Sequence, residues 1–262
     1  MKFSIITITY NAGSVVKRTL DSIMQQDYHD IEHIIIDGAS TDDTLSIVEK
    51  YKQDSDNAEN GHKIEIFSEP DNGIYDAMNK GLAKATGDYI VYMNAGDQMH
   101  APDQLTKCAK KLEEKEDGCR PAVIYGHTDL IDNDGKYLGP RKHTPPEKLS
   151  WKSFKQGMLV CHQAFYALRE LAQQIPFDMQ YHHSADVDWC IRVMKEAEKQ
   201  KLTMLNTHLI LADYQQEGNT TKNHRASLME RFQIMRRHYG LLSAVAMHAW
   251  FVIRAAIKLI KH

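Results

Sequence analysis

At 262 residues, 42% hydrophobic and 26% charged, the chain has the composition of a soluble globular protein with one large domain, or a domain and an appendage. Its four cysteines, Cys108, Cys119, Cys161 and Cys190, form no C-x-x-C pair. That argues against a zinc ribbon or redox motif and reads as reduced thiols in a cytoplasmic protein. The net charge of −3 conceals eight Lys or Arg against one acid, Glu230, in residues 222–262, which leaves −10 on the preceding 221 residues. A basic tail on an acidic body points to an anionic contact, and a membrane surface suits it as well as nucleic acid does.

The start, Met1-Lys2-Phe3-Ser4, runs directly into a β-type segment without a cleavage pattern, so no signal peptide is expected. "FSIITIT" (3–9) predicts a strand, and Val16, Leu20, Ile23 and Met24 recur at helical spacing. "IEHIIID" (31–37) predicts the next strand, and Ser40-Thr41-Asp42-Asp43 has the S-x-x-D form of a helix start. "KIEIF" (63–67) is a third strand, residues 74–82 a helix, and 88–93 a fourth strand. Strand and helix in turn imply parallel βαβ units, whose ligands gather at the carboxyl ends of the strands.

A helix follows around Leu105, Cys108 and Leu112. Residues 122–132 and 137–138 flank Asn133-Asp134-Gly135 as a hairpin. Residues 140–160, with Pro145-Pro146, read as a mobile loop. "HQAFYALRELAQQI" predicts a short strand and a helix, 185–199 a strongly periodic helix, and 202–215 another strand. In the tail, "LLSAVAMHAWFVI" (241–253) carries no formal charge but is too short to span a bilayer, which takes about 20 residues. On a helical wheel Ser243, Arg254, Lys258 and Lys261 share one arc flanked by Trp250 and Phe251, a pattern suited to a helix lying in a membrane interface. Trp250 and Phe251 sit among aliphatics instead of alternating with cations, so no nucleic-acid partner is expected.

The chain has no G-x-x-x-x-G-K-[ST] and no G-x-G-x-x-G after its first strand. A nucleotide would therefore be held by carboxylates and a metal and not by a glycine nest. The segments "SIITITYN", "IIIDGASTDDT", "EPDNGIYDAMNKGLAKATGDYIVYMNAGD", "HQAFY" and "ADVDWCIRV", in that order over residues 3–220, resemble the successive motifs of family 2 glycosyltransferases. The resemblance implies the GT-A fold, an α/β architecture with a mixed, mostly parallel central sheet. It implies transfer of a sugar from a nucleotide-diphosphate donor to an acceptor hydroxyl, with Mg2+ or Mn2+ as cofactor, in surface polysaccharide or glycolipid assembly. Residues 1–221 would form the catalytic domain and 222–262 a helical tail anchored at the inner face of the cell membrane.

Matched residue by residue, the resemblance puts Thr9, Tyr10, Asn11, Asp37, Asp71, Gly73, Asn79, Asn94 and Gly96 on the donor side. Asp37 would accept a hydrogen bond from the base, and Gly96 would let the backbone approach the diphosphate. Met78 stands where many relatives carry an Arg. The family's D-x-D reads Ala95-Gly96-Asp97 here, so Asp97 alone remains as metal ligand, which suffices if the diphosphate supplies further oxygens. Asp186, at the start of the 185–199 helix, matches the catalytic base, while Asp188 can pair with Arg192 at i, i+4. His162, Gln163 and Trp189 would lie toward the acceptor. His182-His183 reads as a solvated loop, and Asn219 departs from a family glycine in "QEGNTT" (216–221). Two other functions stay open: a sugar-phosphate nucleotidyltransferase, for which "NAGSVVKR" is a poor triphosphate loop, and an inactive nucleotide-sugar-binding protein.

Overall fold

The computed structural model describes residues 1–115, 118–216 and 224–260, the last ten as backbone alone. The first half alternates as expected: β1 (Phe3–Thr9), α1 (Val16–Met24), β2 (Ile31–Asp37), α2 (Thr44–Ala58), β3 (Lys63–Ser68), α3 (Ile74–Lys84) and β4 (Tyr89–Tyr92). β1 pairs in parallel with β2 and β4, and β2 with β3. β1 and β2 are buried along their whole length, as parallel strands covered on both faces must be. The polar residues in β2 are therefore matched. Glu32 accepts from Ser4 Oγ at 2.7 Å and Thr86 N at 2.8 Å, and His33 is flanked by Tyr51 Oη and Thr7 Oγ1 at 2.8 and 2.9 Å. On α3, a Cβ at Gly81 would lie 2.4 Å from Ile6 Cγ2, so the absent side chain is what lets this helix seat on β1.

The second half continues with β5 (Gln98–Met99), α4 (Gln104–Glu113), β6 (Val123–Ile131), β7 (Tyr137–Pro140), β8 (Phe165–Leu168), α5 (Arg169–Ala172), α6 (Ala185–Lys199), β9 (Met204–Gln215), α7 (His224–Tyr239) and α8 (Leu241–Ile260). The strand order is β3-β2-β1-β4-β8-β6-β9-β5, with β7 paired to β6. β8 runs antiparallel to both β4 and β6, while β9 is parallel to β6 and antiparallel to β5. The sheet is thus parallel on one side and mixed on the other.

Two local expectations change, and one strand is unforeseen. The S-x-x-D segment makes no capping box, because Ser40 Oγ turns back to Asp37 Oδ1 (2.5 Å) and Asp42 Oδ1 accepts from Thr44 N (3.0 Å). The 140–160 segment contains a 3-10 helix, Trp151–Gln156, opened by a Ser150–Ser153 capping box. The two-residue β5 has no periodicity to reveal it and exists by pairing with β9.

Asp188, fully buried, accepts from Arg192 Nε at 2.5 Å and lies 2.7 Å from His238 Nε2, which ties α6 to α7. α7 ends at Gly240, whose φ of +85° suits glycine. Among the described residues no helix is long and apolar enough to cross a membrane. The expected domain boundary at 221/222, Asn219 and Lys261 lie outside the described residues, as do the side chains of Phe251, Arg254 and Lys258.

Candidate active site

The carboxyl ends of β1 and β4 open into a cavity of about 440 Å³. Of the residues singled out above, Thr9, Tyr10, Asp71, Gly73, Asn94, Asp97, His162, Gln163 and Asp186 line it. Asp97 follows the turn after β4 and is 4% exposed. Its Oδ1 accepts from Gln215 N at 2.9 Å and its Oδ2 from Gln163 Nε2 at 2.7 Å. Burial raises its pKa to about 6, and the two hydrogen bonds, with His162 and Arg18 nearby, only partly oppose that.

Asp186, in the first turn of α6, accepts from Tyr75 Oη at 3.1 Å and stands 3.3 Å from His162 Nδ1. Burial pushes its pKa up, but the His162 contact, Arg231 and the Tyr75 hydroxyl outweigh it, and the carboxyl titrates below its ordinary value. The other ring nitrogen of His162 is 3.1 Å from Asn94 Nδ2, which leaves Asn94 Oδ1 buried without a partner. Adjacent residues 162 and 163 thus connect to the two acids separately.

Five expected site residues do not line the cavity. Asp37 is fully buried and already accepts from Thr9 Oγ1, Ser40 N, Ser40 Oγ and Ser68 Oγ. Those hydrogen bonds join the ends of β1, β2 and β3, and Asp37 does not line the cavity in this structure. Asn11, with φ +47°, accepts from Thr41 N at 2.9 Å and holds two loops together. Asn79 brackets Phe177, donating to its carbonyl at 3.0 Å and accepting from its N–H at 2.8 Å. Gly96 has φ +102°, and a Cβ there would strike Gln215 Oε1 at 2.0 Å. Its positive φ favours glycine in this turn, and a side chain there would also displace the end of Gln215. Trp189 is wholly buried, stacked on Phe177 at 4.9 Å and edge-on to Tyr92 and Phe165, so it belongs to the core and not to an acceptor platform.

Three contributors escaped the sequence. Tyr75 lies inside the quoted "DNGIYDAMNKG" stretch, but its spacing on an amphipathic helix makes it look like core. Gln215 acts through its backbone N–H, which no side-chain pattern reveals. Arg18 donates to the Gly96 carbonyl at 2.8 and 3.1 Å from the exposed side of α1. Met78 is fully buried, as its helical spacing suggests, and also lines the cavity.

Residues 4–175 match the family described as Glycosyl transferase family 2. The chain belongs to that family. It is 31% identical over 217 residues to a PGL/p-HBAD biosynthesis glycosyltransferase of Mycobacterium bovis, spanning 82% of this chain and 77% of the relative. It is 30% identical over 203 residues to an amylovoran biosynthesis glycosyltransferase of Erwinia amylovora, spanning 74% and 64% of the two chains. In fold it is similar to S. aureus TarS 1–349 solved with UDP-GlcNAc (TM-score 0.69, 19% identity, 90% of this chain and 65% of that one). It is also similar to a mannosyltransferase from Pyrobaculum calidifontis solved with GDP-Man and Mn2+ (TM-score 0.58, 17% identity, 98% and 80%). This glycosyltransferase has the GT-A fold expected from its sequence.

The Asp97 environment fits a cation. The charge of the Asp97 carboxylate is only partly offset by His162 and Arg18, and Asn94, whose Oδ1 is buried without a partner, lines the same cavity.

Proposed function

We propose that this family 2 enzyme is an inverting, divalent-metal-dependent transferase. It moves a sugar from a nucleotide-diphosphate donor to a hydroxyl of a carbohydrate or lipid-linked acceptor. Asp97 holds Mg2+ or Mn2+, which when bound neutralises charge on the departing diphosphate. Thr9, Tyr10, Asp71, Gly73 and Asn94 line the donor side. Asp186 accepts the proton of the acceptor hydroxyl as that oxygen bonds to the anomeric carbon, while the electron pair of the breaking C–O bond leaves with the diphosphate. His162 and Tyr75 hold the Asp186 carboxylate in place, and its depressed pKa keeps it ionised at neutral pH. His162 and Gln163 mark the acceptor side.

The observation that carries this reading is that Asp97 and Asp186 line one cavity while their surroundings drive their proton affinities apart. Such a split is how two carboxylates in one site take different roles. The named functions of the relatives support an acceptor in polysaccharide or glycolipid assembly.

Direct assay of transfer and donor hydrolysis with UDP-, GDP- and dTDP-sugars, with and without Mn2+, tests it. Wild type should turn over one donor class only with metal. Asp186→Asn should lower transfer by at least about 100-fold, within the general-base range, with donor affinity nearly unchanged. Parallel loss of both would make Asp186 structural, and no donor binding by wild type would favour an inactive protein.

A further inference from the structure

Next to the Asp97 turn, two strand residues and the residue after β5 gather two carboxylates and an imidazole outside the donor cavity. Successive strand residues point opposite ways. Asp97 turns into the donor cavity, whereas Gln98 and His100 reach Asp213 on β9. His100 Nδ1 lies 2.7 Å from Asp213 Oδ1, and Gln98 Nε2 donates to Asp213 Oδ2 at 2.7 Å. Asp129 sits beside Asp213 in the parallel β6–β9 register. One ligand atom from each of His100, Asp129 and Asp213 lies within 4.8 Å of the other two.

Asp129 is the member that needs explaining. It is 7% exposed, and no hydrogen bond from a described residue reaches its carboxylate. Burial raises its pKa, His100 and His127 draw it down, and the Asp213 charge pushes it up again. A largely buried carboxylate that accepts no hydrogen bond from a described residue, beside a second carboxylate, is unfavourable on both counts. A divalent cation between them removes both penalties.

We propose that His100, Asp129 and Asp213 form a second cation site, distinct from the donor cavity, for a divalent transition ion of the Zn2+ or Mn2+ kind. With neutral His100 the three donors carry two negative charges, matching a dication. The imidazole favours a transition ion over Mg2+ or Ca2+, which prefer oxygen. Metal–ligand bonds of about 2.0–2.2 Å place neighbouring donors about 3 Å apart, within the observed spread. A cavity of about 300 Å³, lined by Arg18, Asp21, Ser22, Gln98 and His100, reaches the imidazole member of the set. The ligands come from β6, from β9 and from the residue following β5, so the ion clamps these strands together immediately behind the Asp97 turn.

The full-length protein, stripped with chelator and free of nucleotide, is titrated with Zn2+ alone by calorimetry, alongside Asp97→Asn, Asp129→Asn and His100→Ala. Wild type and Asp97→Asn should each take up one equivalent, while Asp129→Asn and His100→Ala bind at least tenfold more weakly. The Asp129 carboxylate has no hydrogen bond from a described residue to lose, so Asp129→Asn should melt no lower than wild type without metal and gain less from added Zn2+. The site is refuted if wild type takes up no Zn2+, if Asp129→Asn binds as tightly as wild type, or if Asp97→Asn abolishes uptake. Mg2+ binding with equal affinity would overturn the transition-ion assignment.

Discussion

Asp97 and Asp186 show how a few neighbours set the chemistry of a side chain. Both are carboxylates in one cavity, yet burial lifts Asp97 to about 6 while His162, Arg231 and Tyr75 overcome burial at Asp186 and depress it. The folded pKa of Asp97 exceeds its unfolded value, so the folded state binds the extra proton. Its contribution to stability is present in acid and is lost as pH rises from about 4 toward 6. By pH 7 the loss amounts to about 3 kcal/mol, at about 1.4 kcal/mol per pH unit. Asp97→Asn should therefore raise the melting temperature at pH 7, by up to that free energy, and flatten its pH dependence between pH 4 and 7. It should also abolish Mn2+-dependent donor binding, and donor affinity of wild type with Mn2+ should fall below about pH 6. Melting curves and donor titrations across pH check both; a variant less stable than wild type would count against the raised pKa. None of this is written in "NAGD": the acid is visible there, but its proton affinity depends on Gln163 and Gln215, which arrive from elsewhere in the chain.

Among the elements, α6 carries two kinds of information on opposite faces. Asp186 sits in its first turn, where the helix dipole favours an anion, and Asp188, paired with Arg192 on the same helix, anchors the tail through His238. The i, i+4 pairing with Arg192 was legible from spacing; the partner 50 residues on was not. Removing one member of a buried ion pair leaves the other uncompensated, at about 3–5 kcal/mol. Asp188→Ala should therefore destabilise the protein by about that much in denaturant unfolding, whereas Arg192→Ala, on a more exposed residue, should cost less. Equal small losses would mean α7 is held by other contacts. Trp189 teaches the complementary lesson. Helical spacing left it free to face a sugar or the core, and only Tyr92, Phe165 and Phe177 closing around it resolved the choice.

Across the whole molecule, the tail leaves apolar surface uncovered: Leu242 is 87% exposed, with Leu241, Val245 and Trp250 each more than half exposed. Such a patch next to basic residues suits a surface of anionic lipid. Deleting residues 241–262 should abolish co-sedimentation with vesicles containing phosphatidylserine, while donor hydrolysis persists. Wild type that ignores such vesicles, or binds neutral ones equally, would remove the proposed anchor.

The order of strands and helices, the parallel half of the sheet and the positions of both acids followed from the sequence, because alternation and periodicity are local signals. The tertiary structure decided what chain-distant contacts control. It joined Asp37 to Thr9 and Ser68, drew Asn79 to Phe177 and set Gln215 against the Gly96 turn. It also paired β5 with β9, setting His100 and Asp213 beside Asp129. A hydrogen bond between residues a hundred positions apart has no period, and only the folded chain can form it.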